Sequence, residues 1–424
     1  MNNTRIRYCF SGMVSNSRHC YTILFVSLAF SLCFNEALAQ NTQNQIPYFT
    51  YGKGLGITSP DSLFQMNIRF RMQNRIGLVT NSTTDWSPET IEARIRRLRL
   101  RMDGYVFNPK LTYLIQLAFS RSDMDYEDTE FPNIIRDAMV IYNFDKHFAL
   151  GIGQTKLPGN RQRVNSSGDL QFPDRSIVNQ YFNLDRDFGV QAYYRNQING
   201  FNYVLRAAAS SGDGRNFNEA HDGIALTGRV ELLPFGLFTN SGDYFEGDLT
   251  REPKPKVSIA GGYSNNENAV RTRGQLGKFL YAPRDMETAF FDFLFKYNGW
   301  AFAAEFMDRN AADPITYNVD DPTQQQHVFV GYGQNYQGSY LFRKNYEIGL
   351  RYSKVSPDNI LQTDLPVTAR EPERTQYTLG ATKYFRGHRV KLQTEFTLEQ
   401  DKWPLPENPG REYFIMRFQV EVGI

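Results

Sequence analysis

Cysteine is almost absent. The 424-residue chain carries Cys9, Cys20 and Cys33 and no other. All three lie in the first 39 residues, which read as an export signal. The chain beyond residue 39 has neither a disulfide scaffold nor a thiol nucleophile. Histidine is sparse as well. After the signal only His147, His221, His327 and His388 occur, each isolated in sequence. None forms a zinc-ligand pair, and there is no Gly-x-Ser-x-Gly elbow and no phosphate-cradling glycine loop. No catalytic residue, no metal ligand and no cofactor is expected, so the chain does not read as an enzyme. Long apolar runs are missing too. Tyr21 to Phe34 is the one mostly apolar stretch, shorter than the ~20 residues of a membrane helix. With a mean hydropathy of −0.50, a helical membrane protein is excluded. A membrane β-barrel is not, because only alternate residues face lipid.

The signal itself is legible. Arg5, Arg7 and Arg18 precede the apolar stretch, and Ala37-Leu38-Ala39 supplies a small-x-small site, which places cleavage before Gln40. Residues 1–39 hold three basic residues and Glu36. Their removal leaves 44 of the 47 basic and 44 of the 45 acidic residues, so the net charge is zero. Nucleic acid is therefore not an expected partner, and any electrostatic preference has to come from local placement.

The positive signal is a period of two. In residues 63–75, Phe64, Met66, Ile68, Phe70 and Met72 share one parity, while Arg69, Arg71 and Arg75 share the other. In 97–106, Arg97, Arg99, Arg101 and Asp103 oppose Leu98, Leu100 and Met102. Such alternation means strand, with successive side chains on opposite faces. The parity switches at Arg96-Arg97, so Arg94 and Arg96 join the arginine face only if a β-bulge sits there. Phe291, Phe293, Phe295 and Tyr297 likewise oppose Asp292 and Lys296, and Val390, Leu392, Phe396 and Leu398 oppose Lys391, Gln393 and Glu395.

About sixteen strands follow from this pattern, near 63–78, 91–107, 110–122, 133–143, 147–157, 187–197, 200–210, 223–235, 255–264, 288–298, 300–309, 327–342, 345–354, 375–385, 388–399 and 412–424. Connections alternate in length. Asn199-Gly200, Asn298-Gly299 and Gly387-His388 are among the tight turns; 80–90, 123–132, 158–186, 211–222, 265–287, 310–326, 355–374 and 400–411 are long polar loops. Segment 236–254 breaks the rhythm, being long where a short turn is due. The fold class expected is all-β: a transmembrane antiparallel barrel with short periplasmic turns and long external loops. The expected organisation is signal 1–39, a periplasmic lead-in 40–62 and a barrel 63–424 with a candidate constriction loop 158–186. The last strand, 412–424, ends on its apolar parity and is expected to close against the first, since an open edge cannot face hydrocarbon.

The chain resembles the phosphate-selective porin O and P family. The resemblance rests on Tyr51-Gly52-Lys53-Gly54-Leu55-Gly56-Ile57, on Arg97-Leu98-Arg99-Leu100-Arg101-Met102-Asp103-Gly104, and on Gly153-Gln154-Thr155-Lys156-Leu157-Pro158 through Ser166-Ser167, Phe172-Pro173-Asp174-Arg175-Ser176 and Arg186-Asp187-Phe188-Gly189-Val190. It implies a bacterial outer-membrane porin, a sixteen-stranded homotrimeric channel with a loop folded inward after the fifth strand, and selectivity for phosphate or related anions. Partners implied by such a protein are small anions as permeants, outer-membrane lipid and lipopolysaccharide, and the barrel assembly machinery.

Guanidinium forks bind oxyanions bidentately and stay charged. Arg69, Arg71, Arg75, Arg97, Arg99 and Arg101 are the candidates for an anion path along the lumen wall. Arg161, Arg163, Asp169, Asp174 and Arg175 are the constriction candidates in the loop. The expected function is passive diffusion of small anions. The alternatives are a general non-selective porin and a non-conducting structural or adhesive barrel. Asp123, Asp125, Glu127 and Asp128 are read as a solvated external loop, since their spacing lacks the glycine and terminal glutamate of a calcium loop.

Overall fold

The computed structural model describes residues 48–50, 54–126, 131–217, 222–403 and 410–424. The expected signal, Tyr51–Lys53, Glu127, Asp128 and His221 lie outside them. The strands in chain order are β1 Tyr48–Thr50, β2 Leu55–Thr58, β3 Phe64–Thr80, β4 Pro88–Val106, β5 Asn108–Ala118, β6 Ile135–Asn143, β7 Phe148–Lys156, β8 Arg186–Ile198, β9 Phe201–Ser210 and β10 Ala225–Leu233. They continue as β11 Lys256–Arg271, β12 Phe279–Tyr297, β13 Trp300–Asn310, β14 Ile315–Tyr317, β15 Gln325–His327, β16 Gly331–Leu341, β17 Tyr346–Pro357, β18 Glu373–Tyr384, β19 Val390–Lys402 and β20 Arg411–Gly423.

Sixteen of these form a closed antiparallel barrel. Each of β3 to β13 pairs with its sequence neighbour, β13 pairs with β16, and β16 to β20 continue the series. β20 then returns to β3, from Ile415 opposite Val79 to Gly423 opposite Arg71. Below that point β2 takes over the same edge of β3, with Leu55 opposite Ile68 and Thr58 opposite Gln65. The first strand thus has no open edge along its length. The closure matters because an unpaired peptide group in hydrocarbon costs several kcal/mol.

All sixteen expected barrel strands are present, and segment 236–254 does not change the count. Two connections differ from expectation. The loop expected at 265–287 is mostly strand, because β11 and β12 run on past the barrel as a hairpin with register shifts at Asn266, Ala269 and Arg271. Loop 310–326 contains the small β14–β15 hairpin. The tight turns behave as their residues dictate. Asn199-Gly200 and Asn298-Gly299 hold positive φ at both positions, 49° and 86°, then 46° and 90°. That is the geometry a two-residue hairpin requires, and Asn-Gly adopts it at little strain.

The outer face is apolar and ringed by aromatics at both ends. Trp300, Tyr340 and Phe342 pack tilted and edge to face at the short-turn end, with centroids 4.7 and 5.0 Å apart. Phe306 and Tyr332, and Trp86 and Phe414, lie towards the long loops, at 6.3 and 5.1 Å. Amphipathic rings at the two water–lipid boundaries are the girdles of a membrane barrel. Leu117 and Phe293 point outward between them. A cation at either site should cost about 2–4 kcal/mol near mid-membrane. Leu117→Arg and Phe293→Arg should therefore fail to assemble, as read by loss of the heat-modifiable folded band on gels, while Phe293→Leu should assemble normally.

Candidate functional site: a lumen crossed by an inward loop

The lumen wall is made by the second parity of each strand. Arg71, Gln73 and Arg75 from β3 meet Arg97 and Arg99 from β4 across the register Arg71–Arg99 and Gln73–Arg97. The next pair is Asn74 with Ile95, so Arg96 is an extra residue. This is the bulge that the parity switch demands, and it turns Arg96 inward, where its guanidinium reaches Ser122 and Asp174.

The six expected path arginines lie on this wall, and each has a carboxylate nearby. Arg69 and Arg101 both bind Asp103, Arg101 at 3.0 Å. Arg75 binds Asp174 at 2.5 Å, and Arg96 and Arg97 approach the same carboxylate at 3.4 and 3.6 Å. Arg99 and Arg136 share Asp123. Arg71 bonds Ser166 and Ser167 and lies 3.7 Å from Glu421. The expectation of a solvated loop at 123–128 fails for Asp123. It is drawn into the lumen because two buried guanidiniums need its charge. Asp125 pairs with Arg215.

Residues 157–185 fold into the barrel and cross it. Two short helices, Arg161–Val164 and Ile177–Phe182, give the loop its shape. Neither helix was expected from sequence; each is too short to show a period. Ser176 caps the second, its hydroxyl accepting from the Asn179 N–H at 3.2 Å.

The expected constriction residues fall in different places. Arg161 is buried against β10–β12, donating to Asp292 at 2.6 Å and Ser258 at 2.8 Å. Arg163 pairs with Asp185. Asp174 reaches the opposite wall at Arg75. Arg175 donates to the carbonyls of Gln162 and Asn165. Asp169 contributes its carbonyl, which accepts the Glu246 N–H at 2.8 Å.

Several residues that sequence reasoning did not single out hold the loop in place. Lys391 donates to the carbonyls of Gly168 and Leu170 at 2.8 and 2.7 Å. Arg309 donates to those of Tyr181, Phe182 and Asn183 at the C-terminal end of the second helix, where a cation also suits the helix dipole. Lys156 donates to those of Val164 and Asn165, both at 2.9 Å. Asp292 binds Arg229 as well as Arg161. The signal for these was present in part: Lys391, Asp292 and Lys296 stand on the polar parity of clear strands, and Lys156 lies in the Gly153–Pro158 stretch.

Glycines make room for the loop. A Cβ on Gly380 would sit 2.5 Å from the Phe172 ring, and one on Gly349 3.1 Å from it. A Cβ on Gly333 would meet Val178 at 2.8 Å and Phe182 at 3.0 Å. These lumen-facing glycines on β16–β18 form the seat into which the loop's apolar side chains fit. Arg351 covers the Phe172 ring from the other side at 4.5 Å.

A closed antiparallel barrel of sixteen strands, with aromatic girdles and a loop folded into its lumen, defines an outer-membrane porin, and its place is the bacterial outer membrane. Residues 66–399 match the family Phosphate-selective porin O and P, and the chain belongs to it. No curated protein sequence matches the chain. Among solved structures, the outer-membrane channel DcaP of Acinetobacter baumannii is similar at 13% identity and TM-score 0.54, covering 87% of this chain and 99% of its own. The anion-selective porin from Comamonas acidovorans is similar at 11% identity and TM-score 0.52, with 85% and 99% covered. Pseudomonas putida OprB, at 9% identity and TM-score 0.51, covers 85% and 94%. At these identities the likeness establishes the fold.

Two outcomes follow from the packing. Gly380→Leu should push Phe172 out of its seat, at a cost of about 1–3 kcal/mol for an overpacked site. Lower thermal stability together with altered single-channel conductance is expected, and a variant equal to the parent in both would show that the loop does not rest there. The second outcome concerns pH. Burial raises the Asp174 carboxyl, but Arg75, Arg96 and Arg417 outweigh it and hold the group well below the ordinary carboxylate range. Asp185 is held low in the same way by Arg163 and Arg186. A depressed carboxylate stabilises the fold above its unfolded pKa of about 3.9 and loses that contribution only as pH falls through the lower folded value. The stabilisation that Asp174 supplies should therefore be the same at pH 8 and pH 6: the loss of thermal stability in Asp174→Asn should not change between them, and a loss that disappears by pH 6 would contradict the clamp.

Proposed function

We propose that this channel passes small anions by diffusion, phosphate and related oxyanions above all, along the cation-rich side of its lumen. The observation that carries the reading is the sharing of carboxylates. Asp103 serves Arg69 and Arg101, Asp174 serves Arg75, Arg96 and Arg97, and Asp123 serves Arg99 and Arg136. With Glu92 3.7 Å from Arg75 as well, seven guanidiniums divide four carboxylates. A wall with surplus positive charge lowers the barrier for anions even in a chain whose overall charge is zero.

The surplus continues past the loop. Lys156 and Arg175 donate to one carbonyl, that of Asn165, and neither has a carboxylate partner among the described residues. A cavity of about 170 Å³ opens beside Lys156, lined also by Thr155, Val164, Gln191, Tyr193 and Arg206. Its donors suit an oxyanion that is shedding water. The family name supports phosphate as the preferred solute. On this reading the chain is a channel and not a catalyst. Export by a cleaved signal at 1–39, assembly by the barrel machinery, contact of the outer face with lipid and lipopolysaccharide, and a homotrimeric state belong to the same proposal.

Reversal potential across a planar bilayer in a potassium chloride gradient tests it. The parent channel should favour chloride. Lys156→Gln with Arg175→Gln should shift the permeability ratio towards potassium by at least about two-fold, since two uncompensated charges leave the path. Added phosphate should block chloride current in the parent and less so in the double variant, because bidentate contacts hold phosphate longer. A cation-selective parent would end the anion reading. An anion-selective parent indifferent to phosphate would leave a general anion-preferring porin.

A further inference from the structure

One connection at the short-turn end is not short. Residues 234–255 separate β10 from β11, and instead of hanging below the barrel they turn into it. Phe238, Asp243, Glu246, Asp248 and Glu252 are all buried. The segment is tied at its base by its own carboxylates. Asp248 accepts the N–H of Gly299 at 2.7 Å and of Glu252 at 3.0 Å, and Glu252 accepts that of Thr239 at 2.7 Å. Lys296 rises from β12 and donates to the carbonyls of Gly242 and Phe245 at 2.6 and 2.7 Å. Phe245 reaches across to His388 in the β18–β19 turn, ring to ring at 5.7 Å. Gly247, at φ +69°, lies so close to Glu347 on β17 that a Cβ would be 2.5 Å from its carboxylate.

The tip of this segment meets the inward loop. The Glu246 carboxylate accepts the N–H of Gln171 at 3.0 Å and the side-chain amide of Gln162 at 3.1 Å. Its own N–H donates to the carbonyl of Asp169 at 2.8 Å. Beside it, Arg161 donates to the carbonyl of Asp243 at 2.8 Å. One residue therefore bonds the loop entering from one end of the barrel to the segment entering from the other.

We propose that residues 236–254 form a second constriction, entering from the short-turn end, and that Glu246 is the positioning residue that locks it to the inward loop. Permeating ions then pass beside two joined elements rather than past a single loop. The segment also brings Asp243, Glu246 and Asp248 into the lumen and occupies the Lys296 ammonium, so it restrains the anion preference as well as the flow. The inference rests on the chain being a channel, and the experiment separates the two.

Single-channel recording on the full protein compares the parent with three variants. In the first, Thr239–Thr250 is replaced by Asn-Gly. Conductance should rise at least about two-fold, and the reversal potential should move towards anions as three carboxylates leave and Lys296 is freed. In Glu246→Ala, the carboxylate bonds to Gln171 and Gln162 are lost while the residue 246 N–H and Arg161 bonds remain, and the loosened junction should make the open-channel current noisy, with brief closures. Glu246→Gln keeps an acceptor for the Gln171 N–H and should restore a quiet trace. If the replacement variant does not insert, Glu246→Ala decides alone. A quiet, parent-like Glu246→Ala trace, or a replacement variant with parental conductance, overturns the inference. No current from the parent would overturn the channel reading instead.

Discussion

Irregular backbone inside a membrane barrel must find its hydrogen bonds from the wall, and most of this lumen follows from that constraint. A strand satisfies its peptide groups through its neighbours. A loop folded into the interior cannot, and where it is buried against the wall it is cut off from the water of the channel. The wall answers with long cationic side chains whose heads donate to loop carbonyls. Lys156, Arg309, Arg351 and Lys391 do this for the inward loop, Arg136 for the segment around Asp123, and Lys296 for the segment from the other end. Each has several donors and a flexible stem, so Lys156, Lys296 and Lys391 each serve two carbonyls and Arg309 three, while Arg136 and Arg351 serve one each.

The same arrangement sets the electrostatics. A cation spent on carbonyls needs no carboxylate, which leaves positive charge uncompensated where Lys156 and Arg175 converge. A cation held by a carboxylate stabilises the lumen without contributing much field. Arg161, Arg229, Asp292 and Glu231 form such a buried lattice. Removing one member of a buried pair typically costs about 3–5 kcal/mol, because the other is left unpaired. Ion-paired charges and field-setting charges are therefore different residues in one lumen, and substitutions should separate them.

The barrel was legible in the sequence because its rule is local. Side-chain alternation survives in every strand, and the rhythm of short and long connections orders them. Even the bulge at Arg96 showed as a parity switch. The lumen was less legible because its partners are far apart in the chain. Arg75 meets Asp174, Arg99 meets Asp123, and Gln162 meets Glu246. Nothing in 236–254 other than its length marks it as inward-facing. The two short loop helices have no period to detect. Gly333, Gly349 and Gly380 carry no local mark of their role, which shows only with Phe172, Val178 and Phe182 against them. The arginine columns were visible, but their division between clamp and path depends on carboxylates that only the fold brings near.

The lumen is crossed by fixed, wall-bonded elements and not by mobile loops. Amide hydrogen exchange of the folded protein in detergent tests this most directly. Residues 157–185 and 236–254 should be protected to an extent comparable with the barrel strands, while the exposed tip of the β14–β15 hairpin, residues 318–324, exchanges quickly. Fast exchange in both inward segments, at the rate of that tip, would contradict the account.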